Sequence, residues 1–98
     1  MDENHSIEPF TCKPDSEAGL MQLRSILSSM KGIVVITCQQ NYLYAECKSR
    51  IFGFIDDLEF RQDEKSAVVH VRSASRNGYY DFGVNRRRVE KIRQLFEQ

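Results

Sequence analysis

Tryptophan is absent from this 98-residue chain, and proline, histidine and cysteine occur only two, two and three times. Each shortage excludes something. Cys12, Cys38 and Cys47 are odd in number and form no C-x-x-C pair, which argues against a disulfide framework and a zinc site. They read as small, half-buried hydrophobes. His5 and His70 are isolated and make no metal set, so no cofactor is expected. No apolar run approaches the roughly 20 residues of a membrane helix. The opening M-D-E-N-H lacks the basic-then-apolar order of a secretory signal. The expectation is a cytoplasmic chain without a membrane partner.

Net charge is missing too, since 14 Lys/Arg balance 14 Asp/Glu. Nucleic-acid binding needs an uncompensated positive face, and none is expected. The balance conceals a division, however. Residues 1–64 carry 6 Lys/Arg against 11 Asp/Glu, a net of −5, while residues 65–98 carry 8 against 3, a net of +5. Either the halves neutralise each other within the fold, which is the favoured reading, or the basic half meets an external acidic partner.

What is present is an ordinary globular composition, 41% apolar and 29% charged, in a length that suits one domain spanning 1–98. Residues 1–6 read as a frayed terminus. Ile7 to Cys12 reads as a short edge strand, because Pro9 cannot donate to a central ladder. Asp15 or Ser16 offers a helix N-cap, with Glu17 in the first turn. Leu20, Leu23, Leu27 and Met30, widened by Ile26, then form the buried stripe of an amphipathic helix that Gly32 stops.

Ile33 to Cys38 is continuous and β-branched, which predicts a buried strand. A turn at Gln39–Asn41 places Tyr42 opposite Cys38. Tyr42 to Ser49 alternates, with Leu43, Ala45 and Cys47 on one face and Tyr42, Tyr44, Glu46 and Lys48 on the other. Two further strands, Phe54–Arg61 and Ser66–Ser73, flank a turn centred on Asp63-Glu64. If Gln62 opposes Lys65, then Leu58 faces Val69, Asp57 faces His70 and Ile55 faces Arg72. Phe54, Leu58, Phe60, Val69 and Val71 then share the covered face, and Asp57, Glu59, His70 and Arg72 the other. Asp56 alternates onto the apolar side and needs a partner there.

Asn85 is the expected N-cap of a second helix, whose stripe is Val89, Ile92, Leu95 and Phe96. The order β-α-β-β-β-β-α predicts an α+β two-layer sandwich: an antiparallel four- to five-stranded sheet with both helices on one face.

The stretch R-S-A-S-R-N-G-Y-Y-D-F-G-V-N-R-R-R (72–88) holds most of the candidate chemistry. Arg86, Arg87 and Arg88 stand in the expected first turn of the second helix, where the macrodipole disfavours each cation by about a few tenths of a kcal/mol. Carboxylates from elsewhere must meet them, or an anion must. Inside the chain the candidates are Asp56, Asp57, Asp81 and Glu90. Outside, a phosphate, sulfate or carboxylate would use the helix N–H groups with Arg72, Ser73, Ser75 and Arg76, and a nucleic-acid backbone is a third alternative.

Other chemistries fit less well. Ser73 or Ser75 as a nucleophile needs a base, and alternation puts His70 on the face opposite Ser73. Asp56 and Asp57 point to opposite faces and cannot form an acid/base dyad. Asn77-Gly78 and Gly83 supply turn chemistry. Tyr79 and Tyr80 read as core or rim packing before they read as a stacking platform.

The blocks YLYAECKSRIFGFIDDLEF (42–60) and HVRSASRNGYYDFGVNRRRVE (70–90) closely resemble the bacterial and plastid family called domain of unknown function 1499. The pattern S-A-S-R-x-G-x-x-D-x-G-x-N-R-x-R falls on Ser73 to Arg88 without a gap. Many members carry a Pro-Asn-Cys-Val-Ser signature, and often a membrane anchor, ahead of the first strand; neither is expected here. The resemblance implies no activity. It gives weight to Arg50, Asp56, Asp57, Arg72, Ser73, Ser75, Arg76, Gly78, Asp81, Gly83, Asn85, Arg86 and Arg88.

The expected function is therefore a small non-enzymatic binding module for an anion or an acidic protein surface. Its ligand residues would be Arg72, Ser73, Ser75, Arg76, Asn85, Arg86 and Arg88, over a structural network of Arg50, Asp56, Asp57, Asp81, Gly78 and Gly83. The alternative is a purely structural or interaction domain in which those arginines and carboxylates only hold the fold. A hydrolase is the third reading.

Overall fold

The computed structural model describes residues 8–11, 19–48, 53–63, 68–76 and 83–97. Its elements are β1 (Phe10–Thr11), α1 (Gly19–Ser28), β2 (Ile33–Cys38), β3 (Tyr42–Lys48), β4 (Ile55–Gln62), β5 (Val68–Ser75) and α2 (Val84–Phe96). They follow the expected β-α-β-β-β-β-α order. One antiparallel sheet runs β1-β5-β4-β3-β2, and α1 and α2 pack on one of its faces to make an α+β sandwich. The expected cap at Asp15, Ser16 and Glu17 lies outside the described residues, as do His5, Cys12, Arg50, Asn77, Gly78, Tyr79, Tyr80 and Asp81.

The hydrophobic spacing places the core. Leu20, Leu23 and Leu27 bury one face of α1, and Ile26 and Met30 pack half-buried beside them. Asn85, Val89, Ile92 and Phe96 bury the facing stripe of α2. Leu43, Ala45 and Cys47 from β3, Leu58 and Phe60 from β4 and Val69 from β5 close the other side. Each fully buried Leu or Phe contributes about 1.5–3 kcal/mol of apolar transfer. Phe10 ties in the short edge strand: its ring lies 5.7 Å from Phe60 and 5.5 Å from Phe96, under the Arg93 guanidinium at 4.5 Å. Arg93 also donates to the carbonyls of Pro9 (2.9 Å) and Glu8 (2.6 Å).

Gly32 ends the α1 connection for a steric reason. Its φ is +80°, and a Cβ there would stand 3.2 Å from the Lys48 carbonyl oxygen. The same approach lets the Lys48 N–H donate to the Gly32 carbonyl at 2.8 Å.

Four expectations are corrected. First, β2 is the outer strand of the sheet, not a buried one, and Val34 and Ile36 are 60% and 52% exposed. A β-branched run reads the same whether one or both of its faces are covered. Second, Cys38 pairs with Leu43 and not Tyr42, because a bulge at Ile36 shifts the register between Val35↔Ala45 and Thr37↔Tyr44.

Third, β4 and β5 pair Leu58↔Ser73, Asp57↔Ala74 and Glu59↔Arg72, four positions on from the expected register. The ladder closes at Gln62↔Val69, with the Asp63 N–H on the Val68 carbonyl at 3.0 Å, so the connection is longer than a tight turn. An even shift leaves every side chain on its expected face, because side chains alternate with period two. Fourth, Phe54 precedes β4 and is 37% exposed, outside the core it was expected to join.

Candidate functional site

Alternation along β4 sends Asp56 to the helix side of the sheet and Asp57 to the open side, and the arginines divide accordingly. On the helix side Asp56 is only 6% exposed, and Arg88 reaches down from α2 to meet it, Nη2 to Oδ2 at 3.0 Å. Arg88 Nη1 donates to Asn85 Oδ1 at 2.7 Å, and the Ser73 hydroxyl donates to the same oxygen. Ser73–Asn85–Arg88–Asp56 is thus a buried chain joining β5, α2 and β4. Among the described residues no buried side-chain nitrogen or oxygen lacks a partner.

This chain explains why Asn85 is not the N-cap. α2 starts at Val84, two residues earlier than a cap at Asn85 would set it, and Gly83 takes the cap position in the left-handed region at φ +82° with no side-chain cap bond. The helix carries no acidic residue in its first turn, where Arg86 and Arg87 lie exposed. Of the expected carboxylate partners, Asp56 meets Arg88, Asp57 meets Arg76, and Glu90 meets Arg93 at 3.1 Å.

The open side carries two tyrosine–carboxylate–arginine rows across β3, β4 and β5. In one, the Tyr42 hydroxyl donates to Glu59 Oε2 at 2.6 Å and Arg72 Nη1 donates to Glu59 Oε1 at 3.1 Å. In the other, the Tyr44 hydroxyl donates to Asp57 Oδ1 at 2.5 Å, and Arg76 Nη2 lies 2.8 Å from that oxygen and 2.7 Å from Glu46 Oε2. Each tyrosine reaches a carboxylate diagonal to it in the ladder, a span long side chains cover.

These contacts set the proton affinities. The Arg76 hydrogen bond holds the Asp57 carboxyl below its usual range, with the Tyr44 hydroxyl helping and burial opposing. Donation to Asp57 pushes Tyr44 up to about 12, and donation to Glu59 raises Tyr42 in the same sense. Each proton therefore stays on its phenol, and Asp57 stays ionised. Arg76 is raised further by its bonds to Asp57 and Glu46. Burial pushes the Cys47 thiol up to about 11, against the thiolate a nucleophile needs.

Beside the Tyr42 row lies a shallow depression of about 370 Å³, lined by Tyr42, Glu59, Arg61, His70, Val71 and Arg72. Arg61 stands over the Tyr42 ring at 5.7 Å. The Arg72 side chain is 73% exposed.

The seven expected ligand residues are therefore not brought together. Ser73, Ser75, Asn85 and Arg88 lie on the helix side, Arg72 and Arg76 on the open side, and Arg86 at the helix start. His70 faces away from Ser73, whose hydroxyl is held by Asn85, so the pair needed for a serine nucleophile does not form. Tyr42, Tyr44, Glu46, Glu59 and Arg61 were outside the expected site. Alternation puts the first four on the open face, but only the β3–β4 register brings them to Arg72 and Arg76. Among the described residues no group of three His, Cys, Asp or Glu could hold a metal ion, and no helix is long and apolar enough to cross a membrane.

The chain belongs to the family described as "Protein of unknown function (DUF1499)", which matches residues 1–96. No curated protein and no solved structure matches it.

Proposed function

For this member of the family, we propose a non-enzymatic binding module that takes an anionic group, from a small ligand or an acidic protein surface, on the open face of its sheet. The observation that carries the reading is the depression at Tyr42, where, among the described residues, Arg61, His70 and Arg72 stand around one carboxylate, Glu59. Arg72 uses one nitrogen on Glu59, and a guanidinium has five N–H donors in a fork that matches a carboxylate or phosphate. The Tyr42 ring adds a flat wall for a planar ligand. Of the described residues in the expected ligand set, Arg72 lines this depression.

Thermal-shift measurements with inorganic phosphate, nucleotides and sugar phosphates test this. A ligand present at 100 times its Kd stabilises by about 2.7 kcal/mol. The expected result is a rise in Tm that Arg72→Ala and Arg61→Ala abolish. No rise with any of these anions at millimolar concentration, or a rise that survives both substitutions, removes the reading.

A second reading has its own observation, the buried Arg88–Asp56 pair. In it the domain is structural and its arginines only hold α2 to the sheet. Stability loss on breaking that pair, with no anion effect anywhere, selects it.

A further inference from the structure

The two edges of the sheet are finished differently. β1 spans Phe10–Thr11 among the described residues, follows Pro9, and has Arg93 on the carbonyls of Pro9 and Glu8. A proline and an attached cation are common ways to blunt an edge. β2 has six residues, Ile-Val-Val-Ile-Thr-Cys, with no charge and no proline, and the bulge at Ile36 is its one protective device. Among the described residues no strand pairs with its outer side. Val34 and Ile36 are 60% and 52% exposed there, and Met21 on α1 is 56% exposed. Between β2 and α1 runs an open groove of about 420 Å³, with Arg24 and Ser28 on the helix side and Ile33, Val35 and Cys38 on the strand side.

We propose that the outer edge of β2 and this groove receive an extended acidic segment of a partner protein, rich in β-branched residues, as a sixth strand of the sheet. Added strands bind through main-chain hydrogen bonds, and alternate side chains supply selectivity. Residues on one face of the incoming strand would cover Val34 and Ile36, and those on the other would enter the groove beside Arg24.

Charge fixes the acidic character. From residue 19 to residue 38 the chain has no Asp or Glu, and its two cations, Arg24 and Lys31, are exposed. Lys48 is exposed at the same end of the strand, where its N–H meets Gly32. The same count disfavours a second copy as occupant. Antiparallel pairing of β2 with its twin, about a two-fold axis normal to the sheet, would put both α1 helices on one face, bringing two Arg24 and two Lys31 together with no carboxylate from residues 19–38 between them.

The test is an amide-resolved NMR titration of the full chain with two capped synthetic hexapeptides, Glu-Val-Glu-Val-Glu-Val and its counterpart with lysine for glutamate. The acidic peptide is expected to cause saturable shifts and slowed amide exchange across Ile33–Cys38, with at least tenfold tighter binding than the lysine peptide. Arg24→Glu should reverse that preference, and Val34→Lys should weaken both peptides while leaving Tm unchanged, because Val34 is exposed. Absence of saturable shifts in β2, or equal binding of the two peptides, overturns the proposal. So does protection of β2 amides without peptide together with a dimer in sedimentation, which assigns the edge to a second copy. This site is separate from the Tyr42 depression, so either can fail without the other.

Discussion

Arg88 Nη2 lies 3.0 Å from Asp56 Oδ2, with the two side chains 13% and 8% exposed. A charge pair this far from water is costly to break, because the remaining charge stays buried alone. Arg88→Ala should destabilise the fold by about 3–5 kcal/mol in urea unfolding with an unchanged m-value. The double variant Arg88→Met/Asp56→Leu, which removes both charges, should recover most of that loss. A single variant that melts like the parent would deny the pair any structural role.

Asn85 accepts from both Ser73 and Arg88 through one oxygen. Asn85→Ala should cost about 1–3 kcal/mol by leaving two buried donors unpaired. An N-cap substitution acts on the helix start alone. Here hydrogen exchange should speed up in β5 as well as α2, and a change confined to the first turn of α2 would contradict the assignment.

These two residues mark how far the sequence is readable. Asp56 was legible as a carboxylate on the apolar face in need of a partner, since that follows from period-two alternation. Which arginine meets it was not, because that depends on where α2 lands. Asn85 has ordinary cap chemistry, and Gly83 displaced it by taking the left-handed position one residue before the helix. The faces of Asp56, Asp57, Leu58, Glu59, Phe60, Val69, His70, Val71 and Arg72 were legible, but the register was not: residues 63–67 contain no glycine, asparagine or proline to define a tight turn. The edge position of β2 could not be read from its own composition. The Tyr42 and Tyr44 rows needed three strands in register at once.

The Asp57 shift has a sign that can be checked. Its folded-state pKa is depressed by Arg76, so the stabilisation is present above the unfolded value of about 3.9 and is lost as pH falls through the folded value. Arg76→Ala should bring the Asp57 titration, followed by carboxyl carbon NMR, back toward the ordinary value. Asp57→Asn should flatten the acid limb of the stability curve.

Tyr44 runs the opposite way. Its pKa is raised to about 12 by donation to Asp57, so the bond's contribution is intact below the unfolded value of about 10 and fades as pH rises through the folded value. Ultraviolet titration should show Tyr44 ionising late, and Asp57→Asn should advance it toward 10. An unchanged curve in that variant would place the cause elsewhere.

Gly32 and Gly53 both have positive φ, +80° and +70°, but differ in what a Cβ meets. At Gly32 it is the Lys48 carbonyl at 3.2 Å, which is backbone held in the β2–β3 ladder; at Gly53 it is a flexible Lys48 methylene at 3.8 Å. Gly53→Ala should cost about 1–2 kcal/mol from the left-handed backbone alone. Gly32→Ala should cost more, and equal losses in thermal unfolding would mean that the close contact relaxes.

Side-chain NMR of the guanidinium groups during titration with inorganic phosphate and pyrophosphate tests the open-face reading most directly. The expected result is that Arg61, Arg72 and the His70 ring shift together and saturably, while Arg88, locked to Asp56, does not move. Saturable shifts at Arg86 or Arg88 with Arg61 and Arg72 unchanged would return the site to the helix start, and no saturable shift at any of them would contradict anion binding altogether.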